Sequence, residues 1–135
     1  MIRLKMNEFD PLERFSKFES VEDYQLHMEL WMGKYKQVFS KSELVGFKWL
    51  MFFSEQIPGV CNTAIGTMLS TIHEDIYDHG ISRTSFKRMI NKATSLGILT
   101  VFETQRENGS QGSNLYVFNR LASSGQENVI EKQEE

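Results

Sequence analysis

The stretch Ser82-Arg83-Thr84-Ser85-Phe86-Lys87-Arg88-Met89-Ile90-Asn91-Lys92-Ala93-Thr94-Ser95-Leu96-Gly97, with residues 98–118 that follow it, decides how this chain is read. Ser82 is a good N-cap, because its hydroxyl can accept from an unpaired amide of a first turn. Phe86, Met89, Ile90, Ala93 and Leu96 then fall on one face of a helix, and Gly97 can take the left-handed conformation that closes it. Projected at about 100° per residue, the opposite face is made of Thr84, Arg88, Asn91 and Ser95, flanked by Lys87 and Lys92. Residues 98–106 are rich in β-branched and aromatic side chains, residues 107–113 form a polar turn with two glycines, and residues 115–118 read as a second strand. The pattern predicts a β-hairpin directly after the helix.

Upstream, three helix starts segment the chain. Asp10 before Pro11, with Glu13 in the reciprocal position, predicts a short helix carrying Leu12, Phe15 and Phe18. Ser20 opens a second helix on which Val21, Tyr24, Met28, Trp31, Tyr35 and Val38 form a narrow apolar stripe of the coiled-coil kind. Ser40 and Glu43 form a capping box ahead of Leu44, Phe47, Leu50, Met51 and Ile57, and Pro58-Gly59 ends that helix. Ile65, Met68, Leu69, Ile72 and Ile76 predict a further helix that stops before Asp78-His79-Gly80. The chain from Ala122 on is polar and acidic and is expected to be a disordered tail.

The order of elements, with a polar and basic helix face followed by a hairpin with a long polar tip, is that of a winged helix-turn-helix domain. Three runs carry a family resemblance: Gly80-Ile81-Ser82-Arg83-Thr84-Ser85-Phe86, then Leu96-Gly97-Ile98-Leu99, then Ser113-Asn114-Leu115-Tyr116. Together they resemble the winged-helix domains of bacterial plasmid and phage replication initiators and related regulators. The likeness covers roughly residues 40–120. One departure is the connection between Leu69 and Ser82, which is longer than in a compact helix-turn-helix. The expectation is an α+β, mostly α, protein: an N-terminal helical extension (residues 1–39), a winged-helix domain (40–120) and an acidic tail (121–135).

An α-helix fits the major groove of B-DNA, so the expected partner is double-stranded DNA, bound at a specific site. Arg88 and Asn91 are suited to bidentate reading of guanine and adenine, and Thr84 to contact with a thymine methyl. Arg83 and Lys87 are expected at phosphates, Ser85 and Lys92 among the DNA-binding residues of the same helix, and Arg106, Asn108, Gln111 and Ser113 at the tip of the wing. The stripe Tyr24, Met28, Trp31 and Tyr35 has two readings: packing against its own domain, or the interface of a homodimer. The second would supply the extra copy that a small DNA-binding module needs for specificity. An alternative function is a protein-interaction module that docks through the aromatic N-terminal helices.

Composition bounds these expectations. With 135 residues, 40% of them hydrophobic, the chain supports one core and leaves no room for a large cofactor-binding enzyme. The net charge of −3 argues against bulk positive charge, but it is unevenly spread. Residues 82–120 hold six basic side chains against two acidic, a balance of +4; residues 1–81 balance at −4 and the tail at −3. Neutralising about four to six phosphates would give a salt slope of roughly −4 to −5. The lone Cys61 forms no intramolecular disulfide and reads as structural. No apolar run resembles a signal or a membrane span, so a cytoplasmic protein is expected. His73, Glu74, Asp75, Asp78 and His79 carry ligand-type side chains without the spacing of a metal motif. Gly109 and Gly112 lack the strand-loop-helix setting of a phosphate loop. No catalytic constellation and no cofactor are expected.

Overall fold

A computed structural model describes residues 2–5, 11–74, 80–106 and 108–122. The protein is α+β and mostly helical. Its regular elements are β1 (Ile2–Lys5), α1 (Val21–Tyr35), α2 (Lys41–Phe53), β2 (Val60–Cys61), α3 (Ile65–Glu74), α4 (Arg83–Ser95), β3 (Leu99–Gln105) and β4 (Leu115–Phe118). None of the described helices is long and apolar enough to cross a membrane.

The polar starts act as the sequence implies. The Ser20 hydroxyl accepts from the Asp23 amide, and Ser82 accepts from Ser85. Ser40 and Glu43 complete the reciprocal capping box, with the Glu43 carboxylate receiving the Ser40 N–H at 2.8 Å. Gly97 ends α4 with φ +84°, a left-handed conformation that glycine adopts without a Cβ clash.

Other boundaries differ. The first short helix is a single 3₁₀ turn, Leu12–Phe15, that stops before Phe18, and Pro11 precedes it rather than opening it; Asp10 lies outside the described residues. Val38 leaves the α1 stripe, sitting in a 3₁₀ turn, Lys36–Val38, and 41% exposed. Ile57 is not on α2, which ends at Phe53; it forms an antiparallel bridge with Val60 across the Pro58-Gly59 turn. Helix α3 is described to Glu74, and the expected position Ile76 lies outside the described residues, as do Asp75, Asp78, His79 and the tail from residue 123 onward.

Four strands form one sheet in the order β1-β3-β4-β2. The hairpin β3–β4 is antiparallel, with Leu99 opposite Phe118 and Phe102 opposite Leu115. Two short strands complete it. β2 pairs antiparallel with β4 (Val60 with Val117, Cys61 with Tyr116), and β1 runs parallel to β3 (Ile2 with Phe102).

One core joins helices and sheet. Phe18, Tyr24, Met28 and Trp31 share it with Phe47, Leu50, Met68, Ile72, Phe86, Met89, Ile98, Leu99 and Phe118. The segment 1–39, expected as an extension, therefore contributes α1 to the same core as residues 40–120. Tyr24, Met28 and Trp31 are 1%, 2% and 5% exposed, and Tyr35 packs against them with its ring stacked on Trp31. This corrects the interface assignment of the stripe: its apolar surface is already covered by the chain itself. The Trp31 indole donates to the Asn119 carbonyl at 2.8 Å, and Tyr24 donates to the Met51 carbonyl at 2.8 Å.

Helices α2 and α4 meet closely at Gly46. A Cβ there would stand 3.0 Å from Ile81 Cδ1 and 3.2 Å from Phe86 Cδ1, so a larger side chain would wedge the two helices apart.

Candidate nucleic-acid interface

Helix α4 turns Phe86, Met89, Ile90 and Ala93 into the core. What remains outside is Arg83, Thr84, Lys87, Arg88, Asn91, Thr94 and Ser95, all exposed and none of them acidic. The 13-residue helix is about 20 Å long, enough to lie along a groove. Arg83 and Lys87 make no side-chain hydrogen bond or ion pair with the described residues; the Arg83 guanidinium reaches over the start of α3, where a Cβ on Gly66 would be 3.4 Å from its Nη2. Arg88 is about half exposed and approaches the Glu43 carboxylate at 3.9 Å, a loose contact that leaves its donors available.

Lys92 behaves differently from the other cations. Its ammonium donates to Glu43 Oε1 at 2.7 Å and to the Val38 carbonyl at 3.0 Å. Glu43 is 1% exposed, so this is a buried carboxylate held by a partly exposed lysine. Burial opposes ionisation of Glu43, but the Lys92 ammonium, the Ser40 amide and the nearby Arg88 outweigh it and hold the carboxyl below the usual range. Lys92 thus ties α4 to α2 and to the turn after α1. It braces the helix, a role that the expectation of Lys92 as a DNA contact does not include.

Two helix starts adjoin at this surface. Ser42, in the first turn of α2, donates to Ser85 Oγ at 3.4 Å, and Ser82 donates to the same oxygen at 3.1 Å. The N-termini of α2 and α4 therefore lie side by side, both presenting the positive end of a helix dipole. Ser42 and the exposed Lys41 were not singled out in the sequence. The capping box locates the start of α2, but no local signal says which helix that start adjoins.

The hairpin tip is ordered by its own side chains. Asn108 Oδ1 accepts from the Ser110 amide at 2.9 Å and from its hydroxyl at 2.7 Å, a local turn of the Asx type. Arg106 folds back, its Nη1 donating to the Gln111 carbonyl at 3.2 Å. Ser113 is half-buried and lends its carbonyl to the Thr104 hydroxyl. Gln111 is exposed and bridges Gln105 through the backbone. Of the four expected tip contacts, Gln111 presents its side chain outward, while Arg106 and Asn108 shape the turn; Glu107 lies outside the described residues.

Arg120 is also engaged, donating to the Asp23 carboxylate and to the Lys17 carbonyl. The positive balance of residues 82–120 thus reduces at the surface of α4 to Arg83, Lys87 and Arg88. Among the described residues, no group of three or more His, Cys, Asp or Glu side chains could hold a metal ion. Comparison with protein families, with curated proteins and with solved structures finds no match for this chain.

Proposed function

We propose that the protein is a winged helix-turn-helix protein that binds double-stranded DNA at a specific site. The observation that carries this reading is a connectivity. The order α2-β2-α3-α4-β3-β4, with β2 added to the hairpin beside β4, is that of a winged helix, and the helix in the recognition position has an outer face that is wholly polar and cationic. In this reading α4 enters the major groove. Arg88 and Asn91 read base edges, Thr84 touches a thymine methyl, and Arg83, Lys87 and the amides at the start of α4 hold phosphates. The β3–β4 tip, led by Gln111, lies against the neighbouring backbone or minor groove. The mechanism is occupancy without catalysis, which suits a regulator of transcription or a replication or partition factor of bacterial, phage or plasmid origin.

The reading also sharpens the electrostatics. With Lys92 and Arg120 paired internally, about three cations per protomer meet phosphates, and the salt slope is roughly −3. The alternative of docking through aromatic N-terminal helices is less favoured, because Tyr24 and Trp31 are buried.

Selection of bound sequences from random duplex DNA at moderate salt tests the proposal, and a defined motif is the expected result. On that motif Arg88→Ala lowers affinity by about 1–3 kcal/mol and relaxes preference at one base, whereas Lys87→Ala weakens all sequences alike and reduces the salt slope by about one. If both variants bind as tightly as the wild type, α4 is not the reading helix.

A further inference from the structure

The outer face of α1 carries a ridge of four residues spaced four apart: Glu22, Leu26, Leu30 and Lys34. At about 100° per residue, Leu26 lies opposite the buried stripe Tyr24, Met28, Trp31 and Tyr35. Leu26 and Leu30 are 52% and 43% exposed, so they contribute little to the core. Gly33 adjoins the ridge, and a Cβ built on it would meet nothing within 4 Å, which lets another backbone approach there. Along the ridge the order is acid, leucine, leucine, base.

That order is complementary to itself when reversed. We propose that two copies of the chain associate through this ridge, with their α1 helices antiparallel about a two-fold axis at Met28. The two-fold pairs Leu26 with the partner's Leu30, and Glu22 with the partner's Lys34, each twice. A parallel pair would oppose Glu22 to Glu22 and Lys34 to Lys34. Ridges of this spacing, one residue in four, are those that interdigitate in the commonest helix packing. Lys34 in the single chain lies 5.4 Å from the Tyr35 ring centroid, at the end of the ridge where the partner's Glu22 arrives. Glu29 flanks the axis and would face its own symmetry mate, a like-charge approach that keeps the association weak. A 15-residue helix is about 22 Å long, so the contact falls below the standard interface size, and the dimer forms in the micromolar range or above.

Sedimentation equilibrium of the full chain, in the absence of DNA, tests this apart from the DNA reading. The wild type is expected to dimerise with rising concentration and Leu30→Glu to remain monomeric with an unchanged circular dichroism spectrum. Glu22→Lys and Lys34→Glu each weaken the dimer about tenfold, because each creates two like-charge pairs. Their double variant, and an equimolar mixture of the two single variants, recover wild-type affinity. A wild type that stays monomeric up to about 1 mM overturns the proposal. So does a dimer indifferent to Leu30→Glu, or one that the double charge swap fails to restore.

Discussion

Helices α1 and α4 begin in the same way and are built into the same core. Each is opened by a serine that accepts from the third amide of the helix, Ser20 from Asp23 and Ser82 from Ser85, and each buries an apolar stripe in the core that holds Phe47 and Phe118. Their outer faces share nothing. α1 shows two leucines among charges of both signs, whereas α4 shows only hydroxyls, an amide and cations. The buried faces determine that the helices pack, and the faces turned away from the core determine what they meet. A periodic apolar stripe is therefore poor evidence for a partner, because the chain has first claim on it.

The largest expected effect tests whether the two buried faces are equivalent. Trp31→Ala and Phe86→Ala should each cost about 3–5 kcal/mol in urea denaturation, since each removes a large buried ring and leaves a cavity. Trp31 also gives up its bond to the Asn119 carbonyl. A Trp31→Ala protein as stable as the wild type would break the equivalence and return the stripe to the surface.

A smaller effect separates two lysines on α4. Lys92→Met leaves the Glu43 carboxylate buried with the Ser40 amide and a distant Arg88, and should cost about 2–3 kcal/mol. Lys87→Met, at an exposed position, should change stability by no more than about 0.5 kcal/mol. The Glu43 carboxyl titrates lower in the folded chain than in the unfolded one. Its contribution is therefore complete above the unfolded value of about 4.3, and it disappears as pH falls through the folded value. Lys92→Met should flatten that acid limb. Equal losses from the two lysine variants at neutral pH would mean that both cations serve the same purpose.

The same contrast explains what could be read in advance. Helix starts at Ser20, Ser40 and Ser82, the stop at Gly97 and the second hairpin strand were legible because each rests on contacts within a few residues. β1 and β2 were not. Ile2–Lys5 is a short strand whose parallel partner lies some 100 positions away, and Val60–Cys61 is only two residues long and takes its meaning from Tyr116 and Val117. The cationic face of α4 was visible as a pattern, yet the diversion of Lys92 depends on a glutamate 49 positions earlier. Arg106 likewise looked like a free tip cation until the turn closed around it.

The smallest effect concerns the joint between α1 and the end of the sheet. His27 is buried, and its Nδ1 accepts the Leu121 N–H at 2.9 Å, so the neutral ring carries its proton on Nε2, facing Asp23 at 3.7 Å. Burial lowers the imidazole's affinity for a proton and the Arg120 guanidinium adds to this, while Asp23 opposes both. A histidine whose folded value is depressed binds its proton more readily in the unfolded chain, so its contribution to stability is complete above the unfolded value of about 6.5 and declines as pH falls below it. Stability should therefore begin to fall in the interval below about pH 6.5, above the range in which Glu43 acts. His27→Gln can still accept from the Leu121 amide and does not titrate, so its stability should stay level across that interval. A wild type with no slope there would mean that folding leaves the proton affinity of His27 unchanged, so that the Leu121 bond adds nothing to stability and the end of the sheet is held by the contacts of Asn119 and Arg120.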